Sequence, residues 1–136
     1  MDVAEARRFL ETHHRAVLVT ARQNGRPQAS PVLFCVDDEG RVLVSTREGA
    51  AKTANTRRDP AVSLCVLADD FFSAWVQVDG KAEVVPLPDA LDLLVDYYRR
   101  ISGEHPDWDE YRAAMEEQRR VVLRVEIERA GGGRGR

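Results

Sequence analysis

A chain of 136 residues and 15.3 kDa is long enough to bury one self-sufficient hydrophobic core and short for two. Apolar residues make up 43% of it and charged residues 32%, a balance that excludes intrinsic disorder and fibrous architectures. The formal charge of −3 excludes whole-surface attraction to nucleic acid or anionic lipid, so any basic site must be local.

The first ten residues carry Asp2, Glu5, Arg7 and Arg8 where a secretion signal would need an apolar stretch. No apolar run approaches the roughly 18 residues of a membrane-spanning helix. The chain therefore reads as cytoplasmic, with no membrane partner. Cys35 and Cys65 both sit inside apolar runs without CxxC spacing, which points to inert core thiols and to neither a disulfide framework nor a zinc site.

Asp2 is placed to cap a helix of about ten residues whose apolar stripe is Val3, Ala6, Phe9 and Leu10. From Ala16 the pattern changes to β-branched residues through Thr20. Asn24-Gly25 follows, and then a second run from Gln28 to Val36, which together predict a hairpin. Asp37 to Gly40 forms the next turn and Val42 to Ser45 a third strand. Glu48 to Arg58 reads as a short helix ended by Asp59-Pro60. Ala61 to Leu67 is a fourth strand. Trp75 to Val78 and Lys81 to Val85 read as two more, joined by a tight turn at Asp79-Gly80. Leu91, Leu94, Val95 and Tyr98 share one side of a helix from Asp89 to Ile101, and Trp108 to Gln118 predicts another. Val121 to Ile127 alternates as a last strand, and the glycine-rich residues 131–136 are expected to be a disordered tail on a domain of residues 1–130.

The expectation is a mainly β fold, a six- to seven-stranded antiparallel Greek-key barrel with a short N-terminal helix, a short helix after the third strand and a helical pair before the last. Side chains fill a barrel this small, so a flat ligand must lie on its outer wall or between protomers.

The segment from Val44 to Pro60 carries the strongest chemical signal. It sets Ser45 and Thr46 at a strand end, followed by Arg47, Lys52, Thr53, Asn55, Arg57 and Arg58 on a turn and helix. Hydroxyls, backbone N–H groups and cations there can converge on an anion such as a phosphate. Other candidates carry less. His13 and His14 are adjacent and so point about 100° apart on a helix, which rules out joint metal ligation. His105 precedes Pro106 in a loop and reads as a structural hydrogen-bonding residue. No Ser/His/Asp or Cys/His arrangement stands out, and no catalytic side chain is assigned.

Gly25-Arg-Pro-Gln-Ala-Ser30, the Ser45 to Pro60 block, Val78-Asp-Gly-Lys-Ala82, Gly103-Glu-His-Pro-Asp-Trp108 and Arg119-Arg-Val-Val122 occur in an order that resembles the split β-barrel flavin-binding superfamily, the pyridoxamine 5′-phosphate oxidase-like group. Within it the chain is most similar to the actinobacterial FDOR-B oxidoreductases, which use the deazaflavin coenzyme F420. The resemblance covers roughly residues 5–129. It implies a homodimer with the cofactor at the protomer interface and hydride transfer to a small conjugated acceptor. It further implies that Lys52 grips the cofactor phosphate, with Ser45, Thr46, Thr53 and Asn55 assisting. Ala29, Ser30, Pro31 and Val32 would line the ring, the Trp75 region would approach from the partner, and Arg47, Arg57 or Arg58 would meet the acidic tail of the cofactor. Ala50 departs from the pattern, because a basic residue often stands two positions before the lysine. An FMN-dependent reductase or oxidase on the same barrel is the alternative enzyme, and a flavin or deazaflavin carrier without turnover is the alternative from another class. A nucleic-acid-binding barrel is disfavoured by the net charge and by the lack of an aromatic and basic stacking strip.

Overall fold

A computed structural model describes residues 1–134. In chain order the elements are α1 (Val3–Glu11), β1 (Arg15–Ala21), β2 (Pro27–Val36), β3 (Val42–Arg47), α2 (Ala51–Arg58), β4 (Ala61–Leu67), β5 (Ala74–Val85), α3 (Ala90–Ser102), α4 (Trp108–Glu117) and β6 (Arg120–Arg134). The six strands close into an antiparallel barrel in the order β1-β2-β3-β6-β5-β4, with β4 returning to pair with β1.

Local chemistry accounts for the borders. The Asp2 carboxylate accepts the Glu5 N–H at 2.8 Å while the Glu5 carboxylate accepts the Asp2 N–H at 3.2 Å, a reciprocal cap that starts α1. The β1–β2 hairpin turns where the Gly25 N–H reaches the Arg22 carbonyl, and Gly25 alone takes positive φ, 86°. The helix expected from Glu48 begins at Ala51 instead, because the Ala50 N–H bonds the Arg47 carbonyl and keeps the intervening residues in a turn.

Two expectations are corrected. Asp79-Gly80 is not a hairpin turn: β5 runs straight through it, which gives six strands, within the six to seven expected. Both edges of β5 are occupied there, by β4 and by β6, and the ladder to β6 shifts register between Asp79 and Gly80. Glycine serves close approach, since a Cβ on Gly80 would lie 2.0 Å from the Glu126 carbonyl oxygen. Nor are residues 131–134 a disordered tail. They extend β6, pairing Gly131 with Gln77 and Arg134 with Ala74. The N-terminal half of β5 would otherwise present unpaired N–H and C=O groups, and the missing side chain of Gly132 admits the Trp75 carbonyl, 2.5 Å from where its Cβ would be. Residues 135 and 136 lie outside the described residues.

Apolar side chains gather in two clusters. Leu18, Phe34, Val44, Leu64, Val78 and Leu123 fill the barrel, with Ala6 and Leu10 of α1 packed onto them. The second cluster lies on the outer wall, where Ala90, Leu94 and Tyr111 of the helical pair cover Cys35, Leu43 and Val122 of β2, β3 and β6. Together α3 and α4 roof that wall, and their edge forms one side of the groove described next.

Candidate functional site

A groove of about 890 Å³ opens between the ends of β2 and β3, the start of α2 and the α3–α4 roof. Pro31, Val32 and Leu33 line it from β2, and Tyr97, Tyr98, Tyr111 and Met115 from the helical pair. At its polar end stand Ser45, Thr46 and Arg47 of β3, then Gly49, Ala50 and Lys52, with Glu117, Gln118, Arg119 and Arg120 where α4 passes into β6. An apolar and aromatic trough with charge at one end suits a flat ring carrying an anionic arm.

The polar end is cationic. Arg47, Lys52, Arg119 and Arg120 face a single carboxylate, Glu117, and among the described residues none of the four forms an ion pair. Helix α2 opens here with Ala50 as its N-cap, which offers no side-chain acceptor to the first amides. The Thr53 N–H bonds the Ala50 carbonyl at 3.1 Å, which leaves the Ala51 and Lys52 N–H groups for an anion.

The aromatic wall is held neutral. The Tyr97 hydroxyl donates to the Leu33 carbonyl at 3.0 Å, and burial pushes its pKa up to about 12. The Tyr111 hydroxyl donates to the Leu94 carbonyl at 2.9 Å and is likewise pushed up to about 12 by burial. Both are therefore protonated wall groups at neutral pH. Behind them the Cys35 thiol is raised to about 12, also chiefly by burial, and is an inert core group.

Of the residues singled out from the sequence, Pro31, Val32, Ser45, Thr46, Arg47 and Lys52 meet at the groove. The others have different neighbours. Ala29 and Ser30 lie further along β2, outside the lining, and the Ser30 Oγ is buried without a hydrogen-bond partner. Thr53 is fully buried and its hydroxyl donates to the Arg47 carbonyl at 2.7 Å. The Asn55 Nδ2 donates to Thr20 Oγ1 at 3.1 Å, inside the end of the barrel that α2 covers. Arg58 donates to the Ala21 carbonyl at 2.7 Å and to Asn55 Oδ1 at 2.8 Å. Arg57 clasps the Glu48 carboxylate through both terminal nitrogens. Trp75 stands on the outer face of β5 in register with Leu67, away from the groove of its own chain. In short, Thr53, Asn55, Arg57 and Arg58 fix α2 to the barrel, and that attachment sets where Lys52 stands.

Sequence reasoning left Arg119 and Arg120 without a role and took Tyr98 as core. Their approach to β3 depends on α4 delivering the chain to the start of β6, where Arg47 pairs with Arg120, and no local pattern encodes it. The histidines are structural: His13 stacks on Phe9 with ring centroids 3.9 Å apart, His14 Nδ1 lies 3.0 Å from the Phe34 carbonyl, and His105 Nδ1 accepts the Asp107 N–H at 2.9 Å.

The family model described as pyridoxamine 5′-phosphate oxidase matches residues 3–132. The chain belongs to that family. It is similar to an F420-dependent biliverdin reductase of Mycobacterium tuberculosis, at 32% identity over 130 residues covering 94% of this chain and 85% of that protein. Among solved structures it resembles a conserved hypothetical protein of Mycobacterium tuberculosis with a TM-score of 0.79 and 27% identity, covering 98% of this chain and 85% of that one. An F420 reductase shares the fold, with a TM-score of 0.70 and 24% identity over 90% of this chain and 92% of that one. The split-barrel assignment drawn from the sequence agrees with the family match and with all three, and its FDOR-B part with the F420-dependent relative.

Proposed function

We propose that this protein is an F420-dependent reductase whose groove holds the deazaflavin and passes its hydride to a small conjugated acceptor. One observation carries the reading: an apolar and aromatic trough ends in cations that form no ion pair among the described residues and in a helix start without a side-chain cap, an arrangement suited to a tricyclic ring on a phosphorylated arm. The 32% identical relative is named as an F420-dependent enzyme, which supports the same cofactor.

In this reading Lys52, Ser45 and the first amides of α2 hold the phosphate, and Arg47 adds charge beside it. Pro31 and Val32 back the ring, opposite Tyr98 and Met115. When bound, the deazaflavin supplies the hydride chemistry itself, leaving binding and orientation to the protein. Tyr97 and Tyr111 keep their protons and spend their hydroxyls on backbone carbonyls, so a water molecule supplies the proton that the reduced acceptor takes up, with a backbone N–H assisting only as a hydrogen-bond donor.

A second copy of the chain completes the site. Val17, Val19, Pro31, Leu33, Cys65, Leu67 and Trp75 all point outward from β1, β2, β4 and β5, and Leu33 is 49% exposed. This apolar wall is continuous with the groove through Pro31 and Leu33, and covering it would bring a Trp75 region to the neighbouring groove. Among the described residues no helix is long and apolar enough to cross a membrane, and a cytoplasmic site of action fits a redox cofactor drawn from the cell's own pool.

The phosphate end serves FMN as well as F420, so the test is a titration of apoprotein with each, followed by turnover with an artificial electron acceptor. Tighter binding of F420 with turnover is the expected result. Preference for FMN would move the reading to an FMN reductase or oxidase, and binding without turnover to a carrier.

A further inference from the structure

We propose that Arg119 is a specificity-determining residue that binds a carboxylate lying beside the phosphate end of the groove. Arg119 follows α4 with φ at 54°, the left-handed region in which a Cβ crowds the backbone and where glycine or asparagine usually ends a helix. The backbone there is fixed from both sides: its N–H donates to the Glu116 carbonyl at 3.0 Å and its carbonyl accepts the Glu48 N–H at 2.8 Å. Glu48 is itself clasped by Arg57, so the turn after β3 and the start of β6 are tied at this residue. Glycine would meet these backbone demands with less strain. The arginine in that conformation has a side chain that is exposed, lines the groove and forms no ion pair among the described residues; the acidic group its charge reaches is Glu48, which is held low first by its hydrogen bond from Arg57 and in smaller part by Arg119.

Charge points the same way. Arg47 and Arg120 lie directly opposite each other in the β3–β6 ladder, an unfavourable placement for like charges that a bound anion would offset, and the Arg120 Nε donates to Gln118 Oε1 at 2.9 Å while its terminal nitrogens stay available. A phosphate brings about two negative charges as a monoester and one as a diester bearing a tail, and Lys52, Arg47 and the α2 amides already meet either. Arg119 and Arg120 remain, and the flat guanidinium fork matches a carboxylate.

This inference rests on the groove being the cofactor site. The carboxylate has two sources, the acidic tail of the cofactor or a carboxylate on the acceptor, and two variants separate them. Arg119→Asn removes the guanidinium while keeping a residue suited to the backbone, and Arg119→Lys keeps the charge without the fork. The melting temperature of the Asn variant should stay within about 2 °C. If the tail is bound, Kd for F420 rises about tenfold in the Asn variant and less in the Lys variant, while Kd for FMN, which has a phosphate and no carboxylate, moves less than about twofold. If the acceptor is bound, Kd for F420 holds and KM for biliverdin, which carries two carboxylates, rises about tenfold while KM for a neutral quinone does not. The proposal is overturned if neither quantity moves, or if FMN binding falls in step with F420 binding. Should the wild-type protein bind neither cofactor, the proposed function fails on its own, and calorimetry with 3-phosphoglycerate, a phosphate that carries a carboxylate, against glycerol 3-phosphate, which carries none, decides for the arginine. Loss of 3-phosphoglycerate binding alone in the Asn variant upholds it, and equal loss or none overturns it.

Discussion

At the scale of single residues, the basic segment between β3 and β4 divides into two groups that composition cannot tell apart. Lys52 and Arg47 line the groove, whereas Thr53, Asn55, Arg57 and Arg58 spend their hydrogen bonds on the protein itself. The division has a measurable consequence at Asn55. Asn55→Ala strips a buried partner from Thr20 and Arg58, so unfolding free energy in urea should fall by about 1–3 kcal/mol, the cost of leaving buried polar groups unsatisfied. Unchanged stability with lost cofactor binding would instead make Asn55 a ligand. The sequence pattern places these residues on one short helix correctly, but which of its faces meets the barrel depends on Thr20, 35 positions away.

Among the elements, those with local signals were legible. The α1 cap at Asp2 and Glu5, the Asn24-Gly25 hairpin and the amphipathic α3 each follow from interactions within a few residues. Signals that depend on distant neighbours misled. Asp-Gly commonly makes a turn, yet Gly80 is held extended because β4 and β6 occupy both edges of β5. The glycine-rich end of the chain has disordered composition, yet it finds the open edge of β5. Removing residues 131–136 should therefore expose four ladder positions of β5 and lower the denaturation midpoint without changing the barrel's far-ultraviolet circular dichroism grossly. An unchanged midpoint would mean that this pairing contributes nothing to stability. The groove itself was half legible: its β3 and α2 side was read from the sequence, while the α3–α4 roof and the arginines of β6 come together only through the packed wall of β2, β3 and β6.

For the whole molecule, burial of ionisable groups sets an alkaline limit. Cys35 is raised from its ordinary 9.0 to about 12, and Tyr97 and Tyr111 from 10.0 to about 12, so the folded state holds these protons more tightly than the unfolded chain does. Their contribution to stability is complete below about pH 9 and is lost as the pH climbs from there toward 12. The melting temperature should fall across that window, and because burial also pushes the Cys65 thiol up, it is the Cys35→Ala, Cys65→Ala double variant that should move the onset toward pH 10, where the tyrosines begin to titrate in the unfolded chain. A melting temperature flat to pH 11 would contradict the burial of these groups. The apolar wall of β1, β2, β4 and β5 sets the other whole-molecule expectation. Sedimentation at micromolar concentration should show a dimer, and a clean monomer would leave the Trp75 region without a role at the groove.

The most direct test is the dissociation constant of F420 for the wild-type protein and for Lys52→Ala, measured by fluorescence titration alongside a melting curve. Lys52 stands at the start of α2, half-buried and with no ion-pair partner among the described residues, so its loss removes a charged contact to the ligand and no ion pair within the described fold. Binding should weaken by about 1.5–3 kcal/mol, roughly ten- to a hundredfold in Kd, with the melting temperature nearly unchanged. A Kd within about twofold of wild type would mean that the basic end of the groove is a solvated surface and that the cofactor, if bound, lies elsewhere.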